Sequence, residues 1–313
     1  MNYMLDVDTG YDDALAIMLA VRTMGARLIG ITCVAGNHTL PQVVRNTLHI
    51  LDVVDAPISI PVAGGCILPL VEAVRPPAAL HGRDGMADLG LPQTQRQAVA
   101  DHAVELLREK LTSATAPVTL IALAPLTNIA LFLRLYPHLH SKIARIVIMG
   151  GTHIAQGNTS PNAEFNIRAD PEAAFIVISS GVPITLYPLD PFRQIHIAQD
   201  TALAMQKDMS YPVRIAGRIC SSVMQALGRT YALIGDAGAV AVALDPSHAT
   251  IERFPVSVEL NGVATRGMTV VDRRTPAQRA LLTEWWHVSP HECEVVTMVD
   301  GGYYKDKFLR ALG

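Results

Sequence analysis

The stretch "YMLDVDTGYDDALAIMLA" places four carboxylates, Asp6, Asp8, Asp12 and Asp13, within eight positions of a chain in which only 17% of residues are charged. The residues before Gly10 read as a strand. Side chains alternate faces along a strand, so Asp6 and Asp8 are expected on one side and Val7 on the other. Gly10 permits a sharp turn, and the apolar spacing beyond it predicts a helix over 11–24 with Asp12 and Asp13 in its first turn. Acids at that position are ordinary, since a helix N-terminus favours a carboxylate by roughly 0.3–1 kcal/mol. Capping does not explain why Asp6 and Asp8 should converge on the same turn, with no Lys or Arg in the segment. Like charges so close raise one another's pKa unless something positive intervenes. A divalent cation would relieve the repulsion, and an all-oxygen ligand set suits Ca²⁺ or Mg²⁺.

The elements that must hold such a site follow from an alternation of short apolar runs with helix-period segments. Strands are expected at "YMLDVD", "LIGITCVAG", "ISIPVAG", "VTLIAL", "ARIVIMGG" and "ITLYP", and helices over 11–24, 40–54, 100–112, 125–135 and 171–179. That order predicts an α/β fold, an open and mostly parallel sheet flanked by helices. Residues 198–244 read as largely helical, "FPVSVEL" and "GMTVV" as strands of a small late β-appendage, and 300–312 as a terminal helix. The Pro- and Gly-rich stretch 64–92 reads as loop, and with no repeat or linker a single domain, 1–313, is expected. In open α/β sheets ligands bind beyond the carboxyl ends of the strands.

Composition narrows the function classes. Half the residues are hydrophobic, which supports a large core, and a formal charge of −3 offers no electrostatic case for nucleic acid. The apolar stretch 116–135 is broken by Pro125, Thr127 and Asn128, so it reads as strand, turn and helix start rather than a membrane span. Cys33, Cys66, Cys220 and Cys293 are scattered without a CxxC pair, as expected of free thiols in a reducing cytoplasm. No basic and then apolar leader is evident at the N-terminus.

Two known patterns compete for the opening segment. "DVDTG" resembles the DxDx(T/V) start of haloacid-dehalogenase-type phosphatases, in which the first Asp is a nucleophile and Mg²⁺ is bound, but Gly10 departs from it. Asp6-Val-Asp8-Thr-Gly10-Tyr-Asp12-Asp13-Ala14-Leu-Ala16 resembles more fully the DxDxGxDDAxA signature of the nucleoside hydrolase family, inosine–uridine preferring type. Further segments resemble that family in order: "VAGNHTL" with Asn37, "LHGRDGM" with His81, "ALAPLTNIALFL", "IVIMGG", "GNTSPNAEFNIRADPEAA", "GDAGAVAVALDP" and "TRGMTVVDRR".

The resemblance implies a Rossmann-like sheet, hydrolysis of the N-glycosidic bond of small-molecule ribonucleosides, a Ca²⁺ cofactor, and a cytoplasmic homodimer or homotetramer. It implies Ca²⁺ ligands at Asp8, Asp13, Asp236 and the backbone carbonyl of Leu123, with Asp8 also taking a proton from the attacking water. It implies that Asp12 holds a ribose hydroxyl, that Asn158 and Glu164 lie near the 5′-hydroxyl and Asn166 near the ring, and that Asn37 and His81 line the same pocket. Asp6 is implied to orient its neighbours. Each has a plain alternative: Leu123 as core, Asn37 as a turn residue, 157–166 as a polar loop. Asp170, before Pro171 and a helix, reads as an N-cap.

One position departs from the family pattern. Many members carry His immediately before the late aspartate, where it can protonate the leaving base, and here that residue is Gly235. His38, His81, Arg229 and Tyr231 are possible substitutes, with Trp285 and Trp286 as stacking candidates. The departure keeps open a non-catalytic nucleoside- or ribose-binding protein beside the hydrolase and the phosphohydrolase.

Overall fold

The computed structural model describes residues 1–73, 82, 84–86, 88–281 and 291–313. His81, Trp285 and Trp286 lie outside the described residues. β1 (Asn2–Val7) leads into α1 (Tyr11–Met24), and the unit repeats as β2 (Leu28–Cys33), α2 (Leu40–Val53) and β3 (Val62–Gly64). A second run comprises α3 (Ala103–Ser113), β4 (Val118–Ala122), α4 (Thr127–Leu135), β5 (Ile143–Met149), the short α5 (Phe165–Ala169), α6 (Pro171–Ile178) and β6 (Ile184–Tyr187). Next come α7 (Leu189–Phe192), β7 (His196–Ala198), α8 (Gln199–Met205), α9 (Tyr211–Leu227), β8 (Tyr231–Leu233) and α10 (Gly235–Leu244). The chain closes with β9 (Ala249–Val258), β10 (Thr269–Val271), α11 (Pro276–Leu281), β11 (His291–Val299) and α12 (Gly301–Leu312).

Among the described residues nine strands form one sheet in the order β10-β9-β11-β6-β5-β4-β1-β2-β3, parallel from β11 to β3, with β9 antiparallel to both its neighbours. From β1 the chain steps outward to β2 and β3, then returns to the other side of β1 and steps outward through β4, β5 and β6. The direction reverses between β1 and β4, where Asp6 stands abreast of Ala122. In open α/β sheets the loops diverge at such a reversal, and ligands bind there.

Period-two burial explains the layers. Leu5, Val7, Ile31, Ile121 and Val147 pack on one face with α1, α2, α9, α10 and α12. Met4, Leu120, Ile146 and Ile148 pack on the other with α3, α4 and α6. The stretch 116–135 is a strand, a turn and α4, and no described helix is long and apolar enough to cross a membrane.

The late β-appendage proves continuous with the main sheet, because β11 pairs in parallel with β6 and carries the antiparallel β9 and β10 beyond it. A separate two-stranded sheet, β7–β8, interrupts the region expected to be helical.

Candidate active site

β1 ends at Val7, so strict strand alternation does not carry to Asp8. Asp6 and Asp8 therefore have different surroundings instead of sharing one turn. Asp6 Oδ1 accepts from Thr32 Oγ1 at 2.6 Å and Asn128 Nδ2 at 2.8 Å, and its Oδ2 is buried without a hydrogen-bond partner. Burial pushes its carboxyl up to about 7 against those two donors. Such an acid, 2% exposed, is unsuited to the nucleophilic role that the phosphohydrolase reading assigns it.

Asp8 lies against the N-terminus of α1 and the turn after β2. Its Oδ2 accepts the Asn37 N–H at 2.6 Å, and its Oδ1 is buried without a partner. Asp13 Oδ2 accepts the N–H of Gly10 at 3.0 Å and Asn37 Nδ2 at 3.2 Å, while Oδ1 accepts the Asp8 N–H at 3.3 Å. Asp13 thus caps α1, as the plain reading expects, and still sits in the carboxylate group. Asn37 bridges the two acids and is more than a turn residue.

Asp236, in the first turn of α10, enters the same space because α1 and α10 pack together with their N-termini converging. One carboxylate oxygen each from Asp12, Asp13 and Asp236 lie within 4.8 Å of one another. Asp8 and Asp236 are raised well above the usual carboxylate range, first by burial and then by neighbouring aspartates; Asp13 is pushed to about 7 by burial and Asp12. Two helix N-termini soften this repulsion, but no described Lys or Arg pairs with Asp8, Asp13 or Asp236. The Leu123 carbonyl, at the end of β4, accepts Asn166 Nδ2 at 2.9 Å. Hard oxygen donors, a buried unpartnered carboxylate oxygen and unbalanced negative charge fit a hard divalent cation.

The segment after β5 closes the other side. Glu164 caps α5: Oε1 accepts the Asn166 N–H at 2.9 Å, and Oε2 accepts those of Gly151 at 3.0 Å and Ile167 at 3.2 Å. Burial nonetheless raises it to about 7, and Asp12 is among the charges that raise it. Asn166 Nδ2 spans the carbonyls of Leu123 and Met149 (2.9 and 3.1 Å), joining the ends of β4 and β5. Asn158 is exposed and its Oδ1 accepts the Phe165 N–H at 2.9 Å. Asp170 is the N-cap of α6, accepting the Ala173 N–H at 3.1 Å.

At Gly235 an added Cβ would stand 1.8 Å from the Phe192 ring, so the aromatic side chain occupies the space a residue-235 side chain would need. Arg229 lies over the Tyr231 ring at 5.9 Å, and the ring is edge-on to His196 at 5.5 Å. Sequence reasoning missed Tyr11. Burial first, and then Asp12 and Asp236, hold its phenol well above its ordinary value against the opposing Arg229 charge. Its place directly before Asp12 was the available signal.

Comparison with known proteins agrees with this geometry. The family model described as "Inosine-uridine preferring nucleoside hydrolase" matches residues 3–306. The chain is 37% identical over 285 residues to an inosine-uridine preferring nucleoside hydrolase of Leishmania major, covering 90% of each protein. It is 39% identical over 277 residues to the pyrimidine-specific ribonucleoside hydrolase RihA of Salmonella typhi, covering 86% of this chain and 87% of that one. Among solved structures, a purine-preferring ribonucleoside hydrolase from Gardnerella vaginalis superposes with a TM-score of 0.89 at 28% identity, over 100% of this chain and 98% of that one. An inosine-guanosine nucleoside hydrolase gives 0.87 at 31%, over 99% and 98%. The chain belongs to the inosine-uridine preferring nucleoside hydrolase family.

Proposed function

We propose that this chain is a Ca²⁺-dependent hydrolase of the N-glycosidic bond of ribonucleosides, releasing ribose and a free base. The observation that carries the proposal is the carboxylate group of buried Asp8, Asp13 and Asp236 with half-buried Asp12, just past the end of β1, with an unpartnered oxygen on Asp8. Asp8, Asp13, Asp236 and the Leu123 carbonyl would hold the ion. When bound, Ca²⁺ would fix the vicinal ribose hydroxyls and acidify a water.

Asp8 takes the proton of the attacking water, and its buried Oδ1 carries no competing hydrogen bond. Asp12 holds a ribose hydroxyl. Asn158 and Glu164 stand toward the 5′-hydroxyl and Asn166 toward the ring. Positive charge grows on the sugar as the C–N bond breaks, and preorganised carboxylates stabilise it. Gly235 supplies no proton to the base, and Phe192 fills the space beside it. The four cysteines are buried free thiols, which accords with a reducing cytoplasm.

The relatives' names differ in base, from pyrimidine to purine, so the test uses inosine, adenosine, uridine and cytidine and their 5′-monophosphates with Ca²⁺, scoring ribose release from the nucleosides and phosphate release from the nucleotides. Ribose release that chelation abolishes and Ca²⁺ restores is expected, with kcat in Asp8→Ala lower by ~10²–10⁴-fold. Nucleoside binding without turnover would favour a binding protein, and chelator-resistant hydrolysis would contradict the metal.

A further inference from the structure

We propose that Asn128 is a positioning residue for the carboxylate group, acting through the strand ends on which Asp8 and Asn37 stand. The inference rests on the metal-dependent reading above and assigns a role to a side chain that touches neither ion nor substrate. Asn128 lies in the first turn of α4 and is fully buried. Every hydrogen bond of its amide goes to the end of a different strand. Nδ2 donates to Asp6 Oδ1 near the end of β1 at 2.8 Å and to the Cys33 carbonyl ending β2 at 3.0 Å. Oδ1 accepts the N–H of Cys66, just past β3, at 2.9 Å. An amide has two N–H donors, and here both are used.

These contacts reach the site by a short path. Cys33 and Cys66 bracket the turn that follows β2: Asn128 holds both, and the Ala35 N–H donates to the Cys66 carbonyl at 2.9 Å. Two residues on, the Asn37 N–H holds Asp8 Oδ2 at 2.6 Å and the Asn37 amide holds Asp13 Oδ2 at 3.2 Å. The backbone makes room for both anchors with glycine. A Cβ on Gly65 would stand 2.2 Å from Asn128 Oδ1, and one on Gly36 would stand 2.1 Å from Asp8 Oδ2. One short segment, 123–128, therefore presents the Leu123 carbonyl to the site and fixes the strand ends opposite it.

The test uses the full chain and three variants: Asn128→Asp, which keeps the shape and turns the donor face into an acceptor; Thr32→Val, which removes the other donor to Asp6 Oδ1; and the pair Asp6→Asn/Asn128→Asp. The pair keeps the wild-type charge and restores a donor between the two positions. Ca²⁺ is titrated calorimetrically, and ribose release from inosine and uridine is followed in parallel. Asn128→Asp is expected to weaken Ca²⁺ binding by ~10–100-fold, as loss of a partner behind a ligand does. Thr32→Val should shift it in the same direction by less, and the pair should recover part of the loss. Should Asn128→Asp not fold, Thr32→Val and the pair carry the same comparison. Variants that melt at lower temperature yet bind Ca²⁺ and turn over as the wild type does would overturn the inference alone. A wild-type chain that binds no Ca²⁺ would overturn the metal reading, and this inference with it.

Discussion

The Asp8 carboxylate accepts a short hydrogen bond from the Asn37 N–H, and the space for that contact exists because residue 36 has no side chain. A methyl group at position 36 would meet Asp8 Oδ2 at 2.1 Å and Pro125 Cδ at 3.0 Å. Neither can yield freely, since Asp8 is buried against Asp13 and Pro125 is ring-closed. Gly36→Ala should therefore displace the carboxylate and leave the fold standing. Ca²⁺ affinity measured by calorimetry is expected to fall at least ~10-fold, the scale seen when a ligand loses its orienting partner; unchanged affinity would show that the Asp8 position is not what the ion depends on. The sequence displays the carboxylates openly, because four acids in so apolar a chain stand out. It hides their partners. Asn128 looked like an interruption of an apolar run, and Tyr11 like the first residue of a helix. Asn128 makes its contacts across separations of 62 to 122 residues that spacing does not reveal, whereas Tyr11 is marked in the sequence only by its place directly before Asp12.

Elements were legible where the apolar period was long and its borders sharp. α1 and α2 lie at Tyr11–Met24 and Leu40–Val53, beside expectations of 11–24 and 40–54. β11 was missed because His291, Glu292 and Glu294 interleave with its buried positions, although Cys293 and Val295 keep the period of two. The short α5 and α7 are too brief to show a helical period, and tertiary contacts fix them. One of these contacts is the Phe192 ring of α7 seated on Gly235 at the start of α10. Gly235→His should overpack this junction and lower stability by about 1–3 kcal/mol in urea unfolding. Adding Phe192→Ala should make the double variant more stable than the two single effects summed. A fully stable Gly235→His would mean that the ring swings aside at little cost.

For the whole molecule, the site is built at the expense of the metal-free fold. Asp6 and Asp13 rise from an ordinary 3.8 to about 7, and Glu164 from 4.5 to about 7, chiefly through burial. The folded chain thus keeps protons that the unfolded chain releases near the ordinary values. Stability of the metal-free protein should be greatest on the acid side of this window and fall as pH rises toward about 7 and just beyond. Ca²⁺, which binds ionised carboxylates, should reverse that slope; melting temperatures across the window in EDTA and in Ca²⁺ check it, and parallel curves would refute it. Asp8 and Asp13, which follow β1, meet Asp236 in the first turn of α10, although α10 is distant in the chain. The most direct measurement is a crystal structure of the protein grown in Ca²⁺. The expected result is one ion bound by the carboxylates of Asp8, Asp13 and Asp236 and by the Leu123 carbonyl. No ion there, or an ion held by Asp12, Asp13 and Asp236 with Asp8 turned away, would contradict it.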